Sequence, residues 1–182
     1  NTQLNPLKLA EALPSVPLPN YVFQNQKDLR FKNVAQDWGL GQPGFSNGLS
    51  MADLDLDGDL DIVINNINAN AGIYRNNRGV LGNHLRVKLT GTGANTYAIG
   101  SKVNIKAGGT QQVQYLSLSR GFLSSVEPII HFGLGEQEMI EELVITWPNG
   151  QQTTKQNIKA NQLLSFDIKD AGPKVNQAPN NQ

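Results

Sequence analysis

The most informative segment of this chain reads Asp53-Leu54-Asp55-Leu56-Asp57-Gly58-Asp59-Leu60-Asp61. Carboxylates at alternate positions of so short a segment repel one another unless a cation neutralises them. Ca²⁺ takes about six to eight oxygen ligands from carboxylates and carbonyls on a flexible loop. Glycine at the sixth position allows the sharp turn that such a loop needs. The segment therefore predicts a calcium loop. The alternatives are a solvated acidic turn without metal, or Mg²⁺, which fits less well because it keeps its waters in a rigid octahedron.

The loop starts like an EF-hand and then departs from it. An EF-hand has a bidentate Glu at position twelve and flanking helices, whereas position twelve here is Ile64 and the preceding residues favour a strand. An Asp-x-Asp-x-Asp-Gly-x-x-Asp loop that leads into a strand resembles the FG-GAP (VCBS-type) repeat of integrin-like β-propellers. The resemblance implies that Ca²⁺ is bound by the side chains of positions one, three, five and nine and by the main-chain carbonyl of position seven. In this sequence those residues are Asp53, Asp55, Asp57 and Asp61, with the main chain of Asp59.

Composition narrows the functional classes. The chain has 182 residues, enough for one ordinary domain or two small ones, and its formal net charge of zero gives no electrostatic footprint for nucleic acid or an anionic membrane. It has no cysteine, which excludes disulfides, thiolate catalysis and zinc–thiolate sites. No apolar run is long enough to predict a membrane span, and the N-terminus lacks the pattern of a signal peptide. Because the chain starts at Asn1 without an initiator Met, we expect the C-terminal fragment of a larger propeller protein.

The first half predicts a lead-in and one repeat. Residues 1–20 contain four prolines among scattered leucines, which favours extended chain packed on a neighbour. Residues 21–80 predict the FG-GAP-like calcium-binding repeat, with about four short strands, a turn at 25–28 and a short helical turn at 37–40. That is the content of one propeller blade, and a lone repeat cannot bury its own face. We therefore expect this blade-like repeat to pack with the domain that follows.

The second half, residues 81–170, shows clean alternation of apolar and polar side chains. Leu85, Val87 and Leu89 would face a core while the residues between them face solvent, and the same pattern recurs further along the chain. Gly108-Gly109 and Asn149-Gly150 predict hairpins, the second with a type I′ turn. Glu136–Glu142 could form one helical turn. The pattern predicts an antiparallel β-sandwich or barrel, and residues 171–182, rich in Pro, Asn and Gln, predict a disordered tail.

Several motifs in this half follow one another in the order of the ASPIC/UnbV domain. They are Gly91-Thr92-Gly93-Ala94-Asn95, Ala98-Ile99-Gly100-Ser101-Lys102-Val103, Ser119-Arg120-Gly121-Phe122-Leu123-Ser124-Ser125, His131-Phe132-Gly133-Leu134-Gly135 and Trp147-Pro148-Asn149-Gly150. Such a domain follows FG-GAP repeats in proteins similar to cartilage acidic protein and in bacterial secreted or surface proteins. The chain departs from the pattern at Thr96-Tyr97, where the family more often has an Arg after the Asn.

No catalytic arrangement emerges from the remaining polar residues. His131 lies in an apolar context that favours a hydrogen-bonded structural role, and His84 lies on the polar face of a strand, where we expect solvation. The serines around Arg120 lack a nucleophile elbow and fit turn hydrogen bonding better. Arg120 could clamp an anionic or sugar ligand, although bracing a loop is the favoured use.

The acidic cluster and the tryptophans leave two further alternatives open. Glu136, Glu138, Glu141 and Glu142 could be paired glycosidase carboxylates, but a solvated face is the better interpretation. Trp147 alternates with apolar residues and is expected in the core, whereas Trp38 could stack on a sugar ring.

The sequence therefore predicts an all-β protein: one propeller-blade-like FG-GAP repeat packed with a C-terminal antiparallel β-sandwich. We expect a non-catalytic, extracytoplasmic interaction or adhesion module with Ca²⁺ at Asp53, Asp55, Asp57, Asp59 and Asp61. The alternatives are a carbohydrate-binding module and an accessory or catalytic domain of a glycan hydrolase. The expected partner is a protein or a glycan rather than nucleic acid, and exposed strand edges could support a homodimer.

Overall fold

The computed structural model describes residues 13–77 and 82–173, and within them the chain is all-β, as predicted. The only helical element in these residues is a 3₁₀ turn at Ile168–Asp170. Most of the expected lead-in (residues 1–12), the expected repeat boundary near residue 80 and most of the expected tail (174–182) lie outside the described residues.

Short strands make up the described part of the first half. They are β1 (Leu18–Pro19), β2 (Phe23–Asn25), β3 (Phe31–Asn33), β4 (Pro43–Gly44), β5 (Ser46–Ala52), β6 (Asp61–Asn66) and β7 (Gly72–Tyr74). β1 pairs with β4, β2 forms a hairpin with β3, and β5, β6 and β7 form a three-stranded sheet in that order. The strands are thus shared among three small sheets and do not form one four-stranded sheet.

The helical turn expected at 37–40 is replaced by a hydrogen-bonded turn over residues 34–40 that is not a helix. The backbone N–H of Trp38 donates to the carbonyl of Val34 at 3.0 Å, and that of Leu40 donates to the carbonyl of Ala35 at 2.8 Å. Val34, Ala35 and Leu40 are buried. This turn therefore buries three apolar side chains of the first half.

The second half folds into two sheets that face each other. Its strands are β8 (Asn83–Thr90), β9 (Lys102–Ala107), β10 (Thr110–Tyr115), β11 (Ser119–Gly121), β12 (Ser124–Ser125), β13 (Ile129–Gly135), β14 (Met139–Thr146), β15 (Gln152–Lys159) and β16 (Gln162–Asp167). One sheet has the order β10-β9-β14-β15 and the other the order β13-β8-β16, while β11 and β12 pair separately. This arrangement is the predicted β-sandwich.

Period-two alternation builds the core between the two sheets. Leu85, Val87 and Leu89 of β8 are almost completely buried, and Phe132 and Trp147 join them in one apolar cluster. Burying a side chain of this size contributes about 1.5–3 kcal/mol. The alternate residues of β8, namely His84, Arg86 and Lys88, point to the opposite face of the strand.

Three expectations for this half need correction. The sandwich is not wholly antiparallel, because β16 pairs with β8 in parallel register. Glu136–Glu142 forms no helical turn, since β14 begins at Met139 and its residues Ile140 and Leu143 are buried in the core. The hairpin at Asn149-Gly150 is present, but its turn is not type I′, because Gly150 has a positive φ (83°) and Asn149 does not.

The chain divides into two compact units. One contains the residues up to Gly48 together with Ile64–Gly72, and the other contains Leu49–Val63 together with the chain from Ile73 onward. The aspartate segment therefore belongs to the same compact unit as the sandwich. The domain boundaries after residues 20, 80 and 170 stay a prediction. No helix in the described ranges has the length and apolar character needed to cross a membrane.

Candidate metal centre

The aspartate segment forms a tight loop between β5 and β6. The carboxylate of Asp55 accepts a hydrogen bond from the backbone N–H of Asp57 at 3.3 Å, and Asp57 accepts one from the N–H of Asp59 at 3.1 Å. Aspartate favours this kind of turn because its side chain reaches the backbone two residues further on. Leu56 and Gly58 have positive φ values of 62° and 97°, so the loop needs the left-handed backbone that glycine adopts most easily.

Asp61 closes the loop from its far end. One of its carboxylate oxygens accepts a hydrogen bond from the N–H of Leu54 at 3.1 Å, and the other accepts one from the N–H of Asn76 at 2.8 Å. Its side chain is buried. Asp61 therefore ties the start of the loop and the chain after β7 to the first residue of β6, which is a structural role that the sequence did not indicate.

Three of the predicted ligands lie together. Asp53, Asp55 and Asp57 each offer a carboxylate oxygen, and these oxygens lie within 4.8 Å of one another. Oxygens that share a calcium ion at about 2.3–2.6 Å are at most about 5 Å apart, so the spacing suits a common ion. The Asp53 side chain is only 1% exposed, and its Oδ1 atom is buried without a hydrogen-bond partner among the described residues. A buried carboxylate oxygen in this state is unfavourable unless a hydrogen-bond donor or a cation compensates it, and a bound metal ion would do so.

The surroundings of Asp59 also disfavour the ionised form of its carboxyl group. Burial raises the pKa of the Asp59 carboxyl to about 6, and the neighbouring Asp57 carboxylate adds to the rise. By contrast, the hydrogen bond from the N–H of Asp59 is the main cause that lowers the pKa of Asp57. Asp59 Oδ1 is buried and has no hydrogen-bond partner in the described part of the chain. The residues therefore fit a hard divalent cation, which would relieve this excess negative charge.

Two arginines already face the acidic loop. Arg75 lies 2.8 Å from the carboxylate of Asp55 and 3.6 Å from that of Asp57, with its own side chain 63% exposed. Arg86 of β8 lies 2.5 Å from Asp53 Oδ2, and its side chain is 18% exposed. Neither arginine was predicted to belong to the site. The only sequence signal for Arg86 was its place on the polar face of a strand.

The two histidines lie beside the loop rather than apart from it. Their rings stack with centroids 5.7 Å apart, and burial is the main cause that lowers the pKa of both. His84 is half-buried rather than solvated as expected. His131 Nδ1 is buried and has no hydrogen-bond partner among residues 13–77 and 82–173. The expected structural role of His131 therefore rests on ring stacking, not on a hydrogen bond from Nδ1.

The other candidate residues separate into surface and core. Trp147 is buried in the sandwich core, as expected, whereas Trp38 is 52% exposed. Glu136, Glu138 and Glu141 are exposed, and Glu141 pairs with Lys106 at 3.5 Å on the surface. The hydroxyl of Ser124 donates to the carbonyl of Phe122 at 2.8 Å, which agrees with turn hydrogen bonding. These residues form no acid–base pair with a shared pocket in the described structure.

Comparison with known families agrees with both halves of this architecture. A family model described as "FG-GAP-like repeat" matches residues 15–64, which include the aspartate loop. A second, described as "ASPIC and UnbV", matches residues 91–173, which include most of the sandwich. The chain carries an FG-GAP-like repeat followed by an ASPIC/UnbV domain. Both families suspected from the sequence motifs are thereby confirmed, in the expected order.

Curated relatives align with about two thirds of this chain. The chain is 31% identical over 127 residues to "Cartilage acidic protein 1" of Homo sapiens, a stretch that covers 67% of this chain and 19% of that protein. It is 32% identical over 117 residues to the proteins of the same name from Mus musculus and Xenopus tropicalis, covering 62% of this chain and 18% of each relative. The chain therefore spans only about a fifth of the length of these relatives.

Proposed function

We propose that this FG-GAP and ASPIC/UnbV chain is a calcium-stabilised interaction module without catalytic activity. The observation that carries the proposal is the convergence of the Asp53, Asp55 and Asp57 carboxylates, with a buried and unpartnered oxygen on Asp53. In this module Ca²⁺ holds the loop in one conformation and links its folding to the calcium concentration, because a ligand that binds only the folded state stabilises that state. Asp59, through its main chain, and Asp61 complete the proposed ligand set.

The arrangement of polar residues supports a non-catalytic role. The acidic cluster at Glu136–Glu142 lies on one strand and one turn, and three of its four side chains are exposed to solvent. Among the described residues these carboxylates form no acid–base pair across a shared pocket, which glycoside hydrolysis requires. Neither matched family description names a chemical reaction. The proposed work of the domain is therefore recognition by its surfaces.

Two observations support a place outside the cytosol. The loop resembles the first part of an EF-hand without the bidentate Glu, and such incomplete ligand sets suit weak sites that need plentiful calcium. The relatives are named for cartilage, a tissue that is largely extracellular. The proposed partner is a protein bound through the exposed strand edges or loops, which includes a second copy of this chain.

Carbohydrate binding is a second candidate because of one observation. Trp38 is 52% exposed, and an exposed indole ring can pack on the apolar face of a sugar. The discriminating measurement is binding of the wild-type chain and of Trp38→Ala to a glycan array in excess calcium. Glycan binding that disappears in Trp38→Ala supports this candidate, whereas an array without bound glycans leaves a protein partner as the proposal.

Thermal unfolding tests the proposed role of calcium. We expect the melting temperature of chelator-treated protein to rise as calcium is added, by roughly 5–10 °C once the free ion exceeds its dissociation constant about a hundredfold. Asp55→Asn, which removes one ligand charge at the exposed side of the loop, should need at least about tenfold more calcium for the same rise. A wild-type melting temperature that ignores calcium would show that the aspartates form only a charged turn.

A further inference from the structure

Arg86 connects the aspartate loop to the ASPIC/UnbV sandwich. It lies in β8, whose buried residues Leu85 and Val87 belong to the sandwich core. Its guanidinium donates a hydrogen bond to Asp53 Oδ2, and only 1% of the Asp53 side chain is exposed. This is a buried ion pair between the first residue of the loop and a strand that follows 33 positions later.

A second contact joins the loop to the same face of β8. His84 lies two residues before Arg86, and its ring occupies the space in which a Cβ atom on Gly58 would fall. Glycine suits position 58 for two reasons: it adopts a positive φ easily, and it has no Cβ atom that would clash with the imidazole. The loop thus lies against β8 at its first and its sixth position, within one compact unit.

The two carboxylate oxygens of Asp53 lie in different environments. One oxygen of Asp53 is held by Arg86, while the other is buried and accepts no hydrogen bond in the described ranges. An arginine that occupied both oxygens would compete with a metal ion. The observed geometry instead leaves one oxygen for the ion and compensates the charge of the other.

We propose that Arg86 is a built-in counter-ion of the calcium loop, a positioning residue that keeps Asp53 folded against the sandwich when calcium is absent. The proposal rests on the proposed calcium site. Without the ion, Arg86 supplies the only positive charge that meets buried Asp53 among the ion pairs of the described residues. With the ion bound, Ca²⁺ supplies a second one. Loss of Arg86 should therefore lower the stability of the folded protein strongly without calcium, and less when calcium is bound.

Arg75 provides a matched comparison because it faces the same loop from the surface. Its pairs with Asp55 and Asp57 involve a side chain that is 63% exposed, and solvent-exposed pairs contribute little to stability. The two arginines therefore carry the same charge and face the same loop, but they differ in burial and in the aspartates with which they pair.

The test compares the melting temperatures of wild type, Arg86→Met, Arg86→Lys and Arg75→Met, each in excess chelator and in saturating calcium. We expect Arg86→Met to melt roughly 10 °C below wild type in chelator, because it leaves a buried carboxylate unpaired. Saturating calcium should remove at least about half of that difference. Arg86→Lys keeps a positive charge and should lose less in chelator, and Arg75→Met should stay within about 2 °C of wild type in both conditions.

The outcomes separate this inference from the proposed function. If the melting temperature of the wild type is the same in chelator and in calcium, the proposed calcium module is refuted, and the counter-ion role with it. A wild-type protein that responds, beside an Arg86→Met difference that is equal in chelator and in calcium, refutes only the role of Arg86 and leaves its aliphatic stem as packing. An Arg86→Met chain that stays unfolded in saturating calcium also contradicts the inference, because the ion should replace the missing charge.

Discussion

Trp147→Ala is expected to lower the free energy of unfolding of the sandwich by about 3–5 kcal/mol, as truncation of a buried tryptophan usually does. Trp147 is 2% exposed and packs in the cluster that contains Phe132 and Leu143. Its indole N–H donates to the hydroxyl of Thr153 at 2.9 Å. The substitution removes apolar contacts from both sheets and leaves that hydroxyl without its donor. Chemical denaturation in saturating calcium measures the effect.

Two variants serve as controls for this prediction. Thr153→Val removes the acceptor while keeping the side-chain shape, and should cost about 1–2 kcal/mol. Trp38→Ala removes the same side chain from a position that is 52% exposed, and should cost less than about 1 kcal/mol. If Trp147→Ala proved no more destabilising than Trp38→Ala, the placement of Trp147 in the sandwich core would be contradicted.

Gly91→Ala is expected to cost about 3 kcal/mol, at the upper end of overpacking substitutions. A Cβ atom on Gly91 would overlap the carbonyl oxygen of Asn95 and come within 2.9 Å of the backbone nitrogen of Ala98. These are backbone atoms, so no side chain can rotate away. Ala98 is 1% exposed and packs in the core, and a shift of this turn would therefore disturb the sandwich. The free energy of unfolding, again measured by denaturation in saturating calcium, reports the loss.

The neighbouring Gly93 gives the matched control for Gly91. It has a positive φ of 62°, and nothing lies within 4 Å of the position where its Cβ would be. Gly93→Ala therefore carries only the backbone strain of a left-handed conformation, about 1–2 kcal/mol. Equal losses in the two variants would contradict the close approach of the Asn95 carbonyl oxygen to Gly91, because Gly91 itself has no positive φ.

The sandwich could be predicted because its strands alternate. Leu85, Val87 and Leu89 point inward in the structure as the period of two requires, and the ordered ASPIC/UnbV motifs reinforced that pattern. The parallel pairing of β16 with β8 was missed, since alternation fixes which side chains face the core but not which strands become neighbours. The turn at Asn149-Gly150 was misjudged for a local reason: Trp147 accepts a hydrogen bond from the N–H of Gly150, and Gly150 alone adopts a positive φ.

The candidate site, too, could be predicted from the sequence only in part. The aspartate spacing pointed to Asp53, Asp55 and Asp57 because loop ligands are close in sequence. Asp61 has a further role that spacing could not show, since its partners include the backbone of Asn76. Arg86 was out of reach for the same reason: its pairing with Asp53 depends on how β8 lies beside the loop, which is tertiary structure.

Calorimetric titration of calcium into chelator-treated protein is the most direct test of the account. The geometry predicts saturable binding at a single site in the wild type, weakened at least about tenfold in Asp55→Asn because one ligand charge is lost. Mg²⁺ should compete poorly, because it retains its waters in a rigid octahedron. Heats of dilution alone in the wild type, or equal affinity in Asp55→Asn, would contradict a calcium site built on Asp53, Asp55 and Asp57.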